Sequence, residues 1–411
     1  MIQRYLGNKS PLVGDIASIV GELARPGELI FDAFSGTLAV SLALKARGYR
    51  VAANDVNFFS WIYAQAYLGR ASLPAPEREV APLKTRSRRD AWHCLLSDLV
   101  SPYKRCIPRK VRRTDVFDHY CEAGANSAFK SSRGQTGRRR FFSADNALLI
   151  DRSLSRLRWW YHSGAIGDTT RCILTASLLD ATERISNTQG TYHDFPRAYF
   201  DPRALKVLTL VSPDPAQFVG PISRWFGKAE DSLEFVSKVP RHEVLYLDPP
   251  YNFRQYSSYY FMLNLLARYP EIDNLDEYFA NIQYVRGQNM EDDFSSSFCS
   301  SSGFLPSLET LVKRAKTKYV LLSYFDGRNH WGHFKSGADD EGRRSLELLF
   351  SSELFVPKSM KCVPVTRLNY QSYGGYKARP VQEFLFVAEK RYHARRVRRN
   401  REDIWTGEAL A

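Results

Sequence analysis

Asp248, Pro249, Pro250 and Tyr251 are the consecutive residues of this 411-residue chain best suited to chemistry. They follow an apolar run, Val244 to Leu247, and two prolines cannot continue a central strand because they lack the N–H donor. The run predicts a strand that stops at Asp248. A carboxylate, a rigid backbone carbonyl and an aromatic ring then stand at the carboxyl end of a strand, where open α/β sheets bind ligands. Such a set suits an amino group held flat against an aromatic face. The exocyclic amine of a base is a poor nucleophile because its lone pair is delocalised into the ring. Acceptors on both of its hydrogens, the Asp248 carboxylate and the Pro249 carbonyl, would draw it toward tetrahedral geometry. Tyr251 would stack on a base taken out of its helix. A turn-capping aspartate beside a packed tyrosine would give the same four letters.

The elements that must position this set begin with Leu29 to Asn57. Leu29 to Phe31 predict a short strand, Asp32, Phe34, Ser35 and Gly36 a tight turn, and Leu38 to Lys45 a helix that ends at Gly48. A second strand, Arg50 to Ala53, runs into Asp55 about 20 residues after the glycine turn, where nucleotide-type folds place an acid on ribose hydroxyls. Gly36 is the one glycine of that turn, so the stretch is not the dinucleotide fingerprint. An ordinary βαβ unit of another α/β protein would fit it too.

Taken together, these residues resemble the D12-class DNA adenine-N6 methyltransferases, a family of bacterial adenine methylases and restriction-system modification enzymes. The resemblance covers most of the chain. Gln3 to Ile16, QRYLGNKSPLVGDI, is similar to the family's amino-terminal motif, in which an aromatic and a lysine help hold S-adenosylmethionine; Tyr5 and Lys9 match them. FDAFSGT matches the cofactor loop through Asp32, Phe34 and Gly36, and Asp55 matches the acid on the cofactor ribose. DPPY matches the catalytic motif, whose aspartate also lies beside the cofactor, and Asp231 in KAEDSL stands more loosely where the family has an acid reaching the cofactor adenine. Asn187, Gly190 and Tyr192 in RISNTQGTY resemble a polar family loop, followed by the aromatic run to Phe200. Lys318 to Gly327 and Arg379 to Ala388 look like the next and the closing strands. Leu38 departs from the pattern: many members have a second small residue there, so backbone approach to the cofactor could be tighter and binding weaker.

Global properties agree with a polyanionic substrate. Lys plus Arg number 58 against 44 Asp plus Glu, a formal charge of +14, which favours nucleic acid. The chain has no apolar run of about 18 residues and no basic-apolar leader, so a soluble, cytoplasmic protein without a membrane partner is expected. Six cysteines without a C-x-x-C pair fit reduced thiols. His93, Cys94, Cys106, His119 and Cys121 are spaced too irregularly for a zinc site and suit packing, so no metal is expected.

Between the two nucleotide-fold halves the composition changes. Pro74 to Arg89 reads as a linker; Tyr103 to Arg113 and Arg133 to Arg140 are basic and unlike a core. Ser143 to Tyr161 carries Leu148, Leu149, Leu154, Leu157 and Trp160 at helical spacing and predicts a supporting helix. Arginines there could meet phosphates or guanine edges, or form a solvated face. Ser295 to Gly303 predicts a mobile loop, and Arg391 to Arg401 a basic end that could add phosphate contacts. Tyr256, Tyr259, Tyr260 and Phe261 follow DPPY, where some rings could line a base pocket, but their helical spacing suits core packing better.

The expected architecture is therefore α/β: a Rossmann-like, S-adenosylmethionine-dependent methyltransferase sheet with an inserted, mainly helical target-recognition region. Residues 1–69 and 201–390 would form the catalytic domain, 70–200 the recognition region and 391–411 a basic tail. The resemblance implies methyl transfer from S-adenosylmethionine to N6 of adenine in double-stranded DNA, with Asp248, Pro249, Pro250 and Tyr251 catalytic. It also implies Tyr5, Lys9, Asp32, Phe34, Gly36, Asp55, Asp231 and Asp248 around the cofactor. A cognate restriction endonuclease is a possible partner, and the enzyme is expected to act as a monomer. The same chemistry on cytosine N4 or on RNA stays open, as does a catalytically silent DNA-binding subunit.

Overall fold

The computed structural model describes residues 5–77, 80, 87–103, 107–193, 199–325, 330, 341–368 and 380–391. Gln3, Cys106, the run after Arg391, and parts of the predicted linker and of the aromatic run before Phe200 lie outside the described residues. Strands β1 (Leu29–Asp32), β2 (Arg50–Ala53), β3 (Ala128–Lys130), β4 (Thr136–Arg138), β5 (His242–Leu247), β6 (Thr317–Phe325), β7 (Lys361–Leu368) and β8 (Pro380–Glu389) form two sheets. The larger has six strands in the order β2-β1-β5-β6-β8-β7, and β3 and β4 make a separate hairpin. β2, β1, β5 and β6 run parallel, whereas β8 lies antiparallel between β6 and β7. The mixed, mainly parallel sheet is consistent with the Rossmann-like expectation.

Apolar runs make these central strands because both faces are covered. On one face Ile30, Val51, Val244, Tyr246 and Leu321 pack against α1 (Val13–Leu23) and α2 (Ala39–Ala46). Their strand neighbours Phe31, Leu245, Leu247, Val320 and Leu322 point the other way, as the two-residue period of a strand requires. Each fully buried Leu or Phe contributes about 1.5–3 kcal/mol relative to exposure.

A helical body stands beside the sheet. It contains α3 (Phe58–Tyr63), α4 (Arg88–Val100), α5 (Asp115–Tyr120), α6 (Ala144–His162) and α7 (Asp168–Ile185). After it come α8 (Ser232–Phe235), α9 (Tyr256–Tyr259), α10 (Phe261–Arg268), α11 (Leu275–Ala280), α12 (Ser301–Arg314) and α13 (Glu341–Phe350). The inserted stretch is mainly helical, and one buried cluster joins its Trp92, Leu154 and Leu174 to Phe59 of α3 and Leu265 of α10. Its core is thus continuous with helices from both sides of the expected 70–200 boundaries.

Two sequence expectations change. Ser295–Gly303 is not a loop: Ser297–Cys299 form a 3-10 turn, and the Ser300 side chain accepts the Gly303 N–H at 3.0 Å to start α12. Phe298 and Cys299 are buried, so the serines act as helix caps around two core residues. The basic stretch 133–140 is not wholly surface either. Arg139 is buried, its Nε donating to the Val285 carbonyl at 2.9 Å. Arg156 likewise gives its guanidinium to the carbonyls of Leu99, Ser101 and Pro102 at 2.6, 3.0 and 3.1 Å. Five fixed N–H donors let a guanidinium organise several chain ends at once, which charge counting along the sequence does not reveal.

Candidate active site

Three strand ends and one amino-terminal segment build the site. β1 ends at Asp32 and turns sharply through Gly36, whose φ of 46° is left-handed; a Cβ there would lie 3.0 Å from the Tyr5 ring. Glycine meets both demands. Leu38 follows at φ 63°, yet its side chain is fully buried in the helical cluster and lines neither recess of the site. Its bulk therefore does not occupy the space where a ligand would approach the turn.

β5 delivers Asp248 between two adjoining recesses. The polar one is lined by Lys9, Asp32, Ser35, Gly36, Thr37 and Tyr246. The more apolar one is lined by Asp55, Pro249, Pro250, Tyr251, Gln255 and Tyr256. Tyr5, Gly7, Phe34 and Asp248 border both. The Tyr5 ring is fixed by stacking on Tyr260, centroids 4.4 Å apart, and by the edge of Phe59. Tyr251 is buried, its ring set edge-on against Tyr324 at 6.3 Å.

Of the residues expected in the site, all but Asp231 come together there. Asp231 instead caps α8, accepting the Leu233 N–H at 2.9 Å, and lines neither recess. Asn187 serves as a clamp, its side chain bonding the Arg140 and Tyr199 carbonyls and the Asp201 N–H. His119 stacks on Phe279 and Cys121 is buried, whereas Cys94 is exposed.

Sequence reading missed a buried ionic ladder behind the DPPY run. Lys9 Nζ is 3.0 Å from Asp248 Oδ1 and 5.4 Å from the Tyr251 ring centre, and it also donates to Glu383. Glu383, on β8 and fully buried, accepts from Ser323 Oγ at 2.7 Å and from Arg367 Nε. Glu383 occurs in a strand-like run, VQEFLFVA, where an acid gives no sign of which strand it will face. Gln255 was not singled out, and Tyr256, one of the rings that could line a pocket or pack in the core, stands at the cavity wall; helical spacing does not separate the two.

Burial pushes Asp248 up to about 6, against the opposing pull of Lys9. Burial likewise pushes Asp32 up to about 7 despite the hydrogen bond from Ser41 Oγ at 2.6 Å. Burial disfavours the charge of Glu383 as well, but Lys9 and Arg367 outweigh it and hold the carboxyl down to about 2. Burial would lower Lys9, yet Asp248 above all keeps it well above the ordinary lysine range.

The amino-acid sequence carries the family's signature across most of its length: residues 5–92 and 94–320 match the model of the D12 class N6 adenine-specific DNA methyltransferases. The chain belongs to that family. This D12-class chain is 26% identical over 326 residues to the type II methyltransferase M.NlaIII of Neisseria lactamica, covering 78% of this chain and 82% of the relative. It is 25% identical over 395 residues to the type II methyltransferase M.FokI of Planomicrobium okeanokoites and 25% over 393 to the modification methylase StsI of Streptococcus sanguinis. Those matches cover 94% of this chain and 52% of each relative, so this D12 chain spans about half the length of either.

Proposed function

We propose that this D12-class chain methylates N6 of adenine in a specific double-stranded DNA sequence, with S-adenosylmethionine as donor. The observation that carries the reading is the place of Asp248, on the border between a polar recess and an aromatic one, at the end of the central strand β5.

The polar recess fits the amino-acid end of the donor. Asp32 lines a recess beside the Gly36 turn, and its Oδ1 is buried without a hydrogen-bond partner among the described residues; a buried lone acceptor calls for a donor such as an ammonium. Tyr5, Phe34 and Gly36 would wall the donor, and Asp55, whose carboxylate orders the turn, would face its ribose. Asp231 has a carboxylate already engaged in helix capping, so a role at the cofactor adenine would have to be shared with that cap. Bound there, the donor supplies a sulfonium methyl, an activated electrophile.

The protein's own part is to hold and orient. The Asp248 carboxylate and the Pro249 carbonyl would accept the two hydrogens of the amine, and Tyr251 would stack on the base, so that the nitrogen lone pair faces the methyl. Pro250 keeps the backbone between these groups rigid. The surplus proton of the methylated nitrogen leaves to solvent. Exposed Arg109, Lys110, Lys130 and Arg133, the last two on and beside the β3–β4 hairpin, would meet phosphates. A cognate restriction endonuclease is the expected partner, with the enzyme acting as a monomer.

The test is transfer of labelled methyl from S-adenosylmethionine into unmethylated duplex DNA, with product nucleosides separated. Label in N6-methyladenine is expected. Label in N4-methylcytosine, or only in RNA, would overturn the substrate; no cofactor binding at all would leave a silent DNA-binding subunit.

A further inference from the structure

We propose that Glu383 is a positioning residue for methyl transfer: from β8 it draws Lys9 partly off Asp248, keeping the aspartate a strong acceptor for the amino group of the base. The inference rests on the reading of Asp248 as the group that holds this amine.

The geometry is a chain of alternating charge, Arg367, Glu383, Lys9 and Asp248, running from the β7 edge to the catalytic motif. A fully buried carboxylate is strongly unfavourable unless it is paired, and Glu383 has three donors around it: Lys9, Ser323 and Arg367. Only one of these, Lys9, also reaches the reacting centre. An ammonium has three donors on one compact charge. With Asp248 as its sole carboxylate, Lys9 would commit its whole charge to it and weaken its oxygens as acceptors for the amine. Shared between two carboxylates, it orients Asp248 while leaving it a strong acceptor.

Among the described residues, the charged groups around Asp248 are Lys9 from the amino-terminal segment, Asp32 from β1, Asp55 after β2, which lines the same recess, Glu383 from β8 and Arg367 from β7. Tyr246 on its own strand, with Tyr5, Tyr251 and Tyr256 around the recesses, also couples to it; burial pushes these phenols above their usual range, so they stay neutral. Glu383 and Arg367 thus act on Asp248 in opposite senses, Glu383 raising its proton affinity and Arg367 lowering it. That opposition gives the inference its signature.

The experiment measures single-turnover methylation of duplex DNA by the full chain across about pH 5 to 8, alongside cofactor affinity. Glu383→Gln is expected to slow transfer roughly tenfold or more, to leave cofactor affinity within about twofold, and to move the acid limb of the profile to lower pH. Glu383→Asp, which keeps the charge, returns that limb toward the wild-type position. Arg367→Met moves it the other way, to higher pH, and serves as the deciding variant if Glu383→Gln does not fold. Slower transfer with an unmoved limb in Glu383→Gln, or an unmoved limb in Arg367→Met, would reduce Glu383 to a sheet staple and overturn the inference. A wild-type chain that methylates no base under any condition would instead overturn the reading of Asp248 on which it rests.

Discussion

The Gly36 N–H donates to Asp55 Oδ2 at 2.8 Å, joining the turn after β1 to the end of β2. The other oxygen, Oδ1, accepts from the backbone and side chain of Asn57, both at 2.9 Å. Asp55 therefore shapes the turn before any ligand arrives. Asp55→Ala should lower both thermal stability and cofactor affinity, because a buried N–H left without its acceptor is unfavourable by about 1–3 kcal/mol. Scanning fluorimetry and titration calorimetry on one protein sample check the pair; a large loss of affinity with unchanged stability would contradict the assignment.

Asp248→Asn should retain the fold while methyl transfer falls by at least about a hundredfold, since an amide presents a weaker acceptor to the amine. In the wild type, burial puts the carboxyl near 6, so transfer should decline as pH falls through that value and the acceptor becomes protonated. Stopped-time assays with labelled donor at several pH values read both effects.

Asp32 yields a linkage prediction. Burial raises its folded value to about 7 from 3.8, so the protonated form favours the folded state. Its contribution to ligand-free stability is full below the unfolded value and is lost as pH rises through about 7. A cationic ligand reverses the preference. Donor binding near pH 6.5 should release protons, seen as buffer-dependent heats, and tighten toward about pH 8; Asp32→Asn should abolish the proton release.

Tyr251→Ala should weaken base capture by about 1–3 kcal/mol, the worth of one base–aromatic stack, while Tyr251→Phe keeps most of it. Because the ring also packs on Tyr324, Tyr251→Phe is the control for packing. Equal losses in the two variants would shift the role from the ring to the hydroxyl.

Arg156→Ala should destabilise the protein by about 2–4 kcal/mol, since charge-assisted bonds to several buried carbonyls are lost together. DNA binding per folded molecule, and its salt dependence, should change little. A reduced salt slope would place Arg156 on phosphates instead.

Much of the sheet was legible because its signals are local. Apolar runs marked β1, β2 and β5, the two prolines marked where β5 stops, and the turn around Gly36 announced itself by residue type. Asp32, Asp55 and Asp248 could be placed at strand ends for the same reason. What the sequence did not show depends on pairing between distant strands. Nothing in VQEFLFVA tells that Glu383 will stand against Lys9, since antiparallel insertion of β8 is a property of the whole sheet. The serine run at 295–303 misled because serines suit loops and helix caps equally, and only Phe298 and Cys299, buried beneath, decide between them.

The place of β8 also orders events during synthesis. Lys9 and Glu383 meet across 374 positions, so the first cation of the ladder leaves the ribosome long before its counterweight. A nascent or truncated chain that stops before residue 380 already contains the complete DPPY run and the Gly36 turn, yet lacks the carboxylate that divides the charge of Lys9. The ladder closes only when β8 has been made, so the pairing that divides the charge of Lys9 comes late in synthesis.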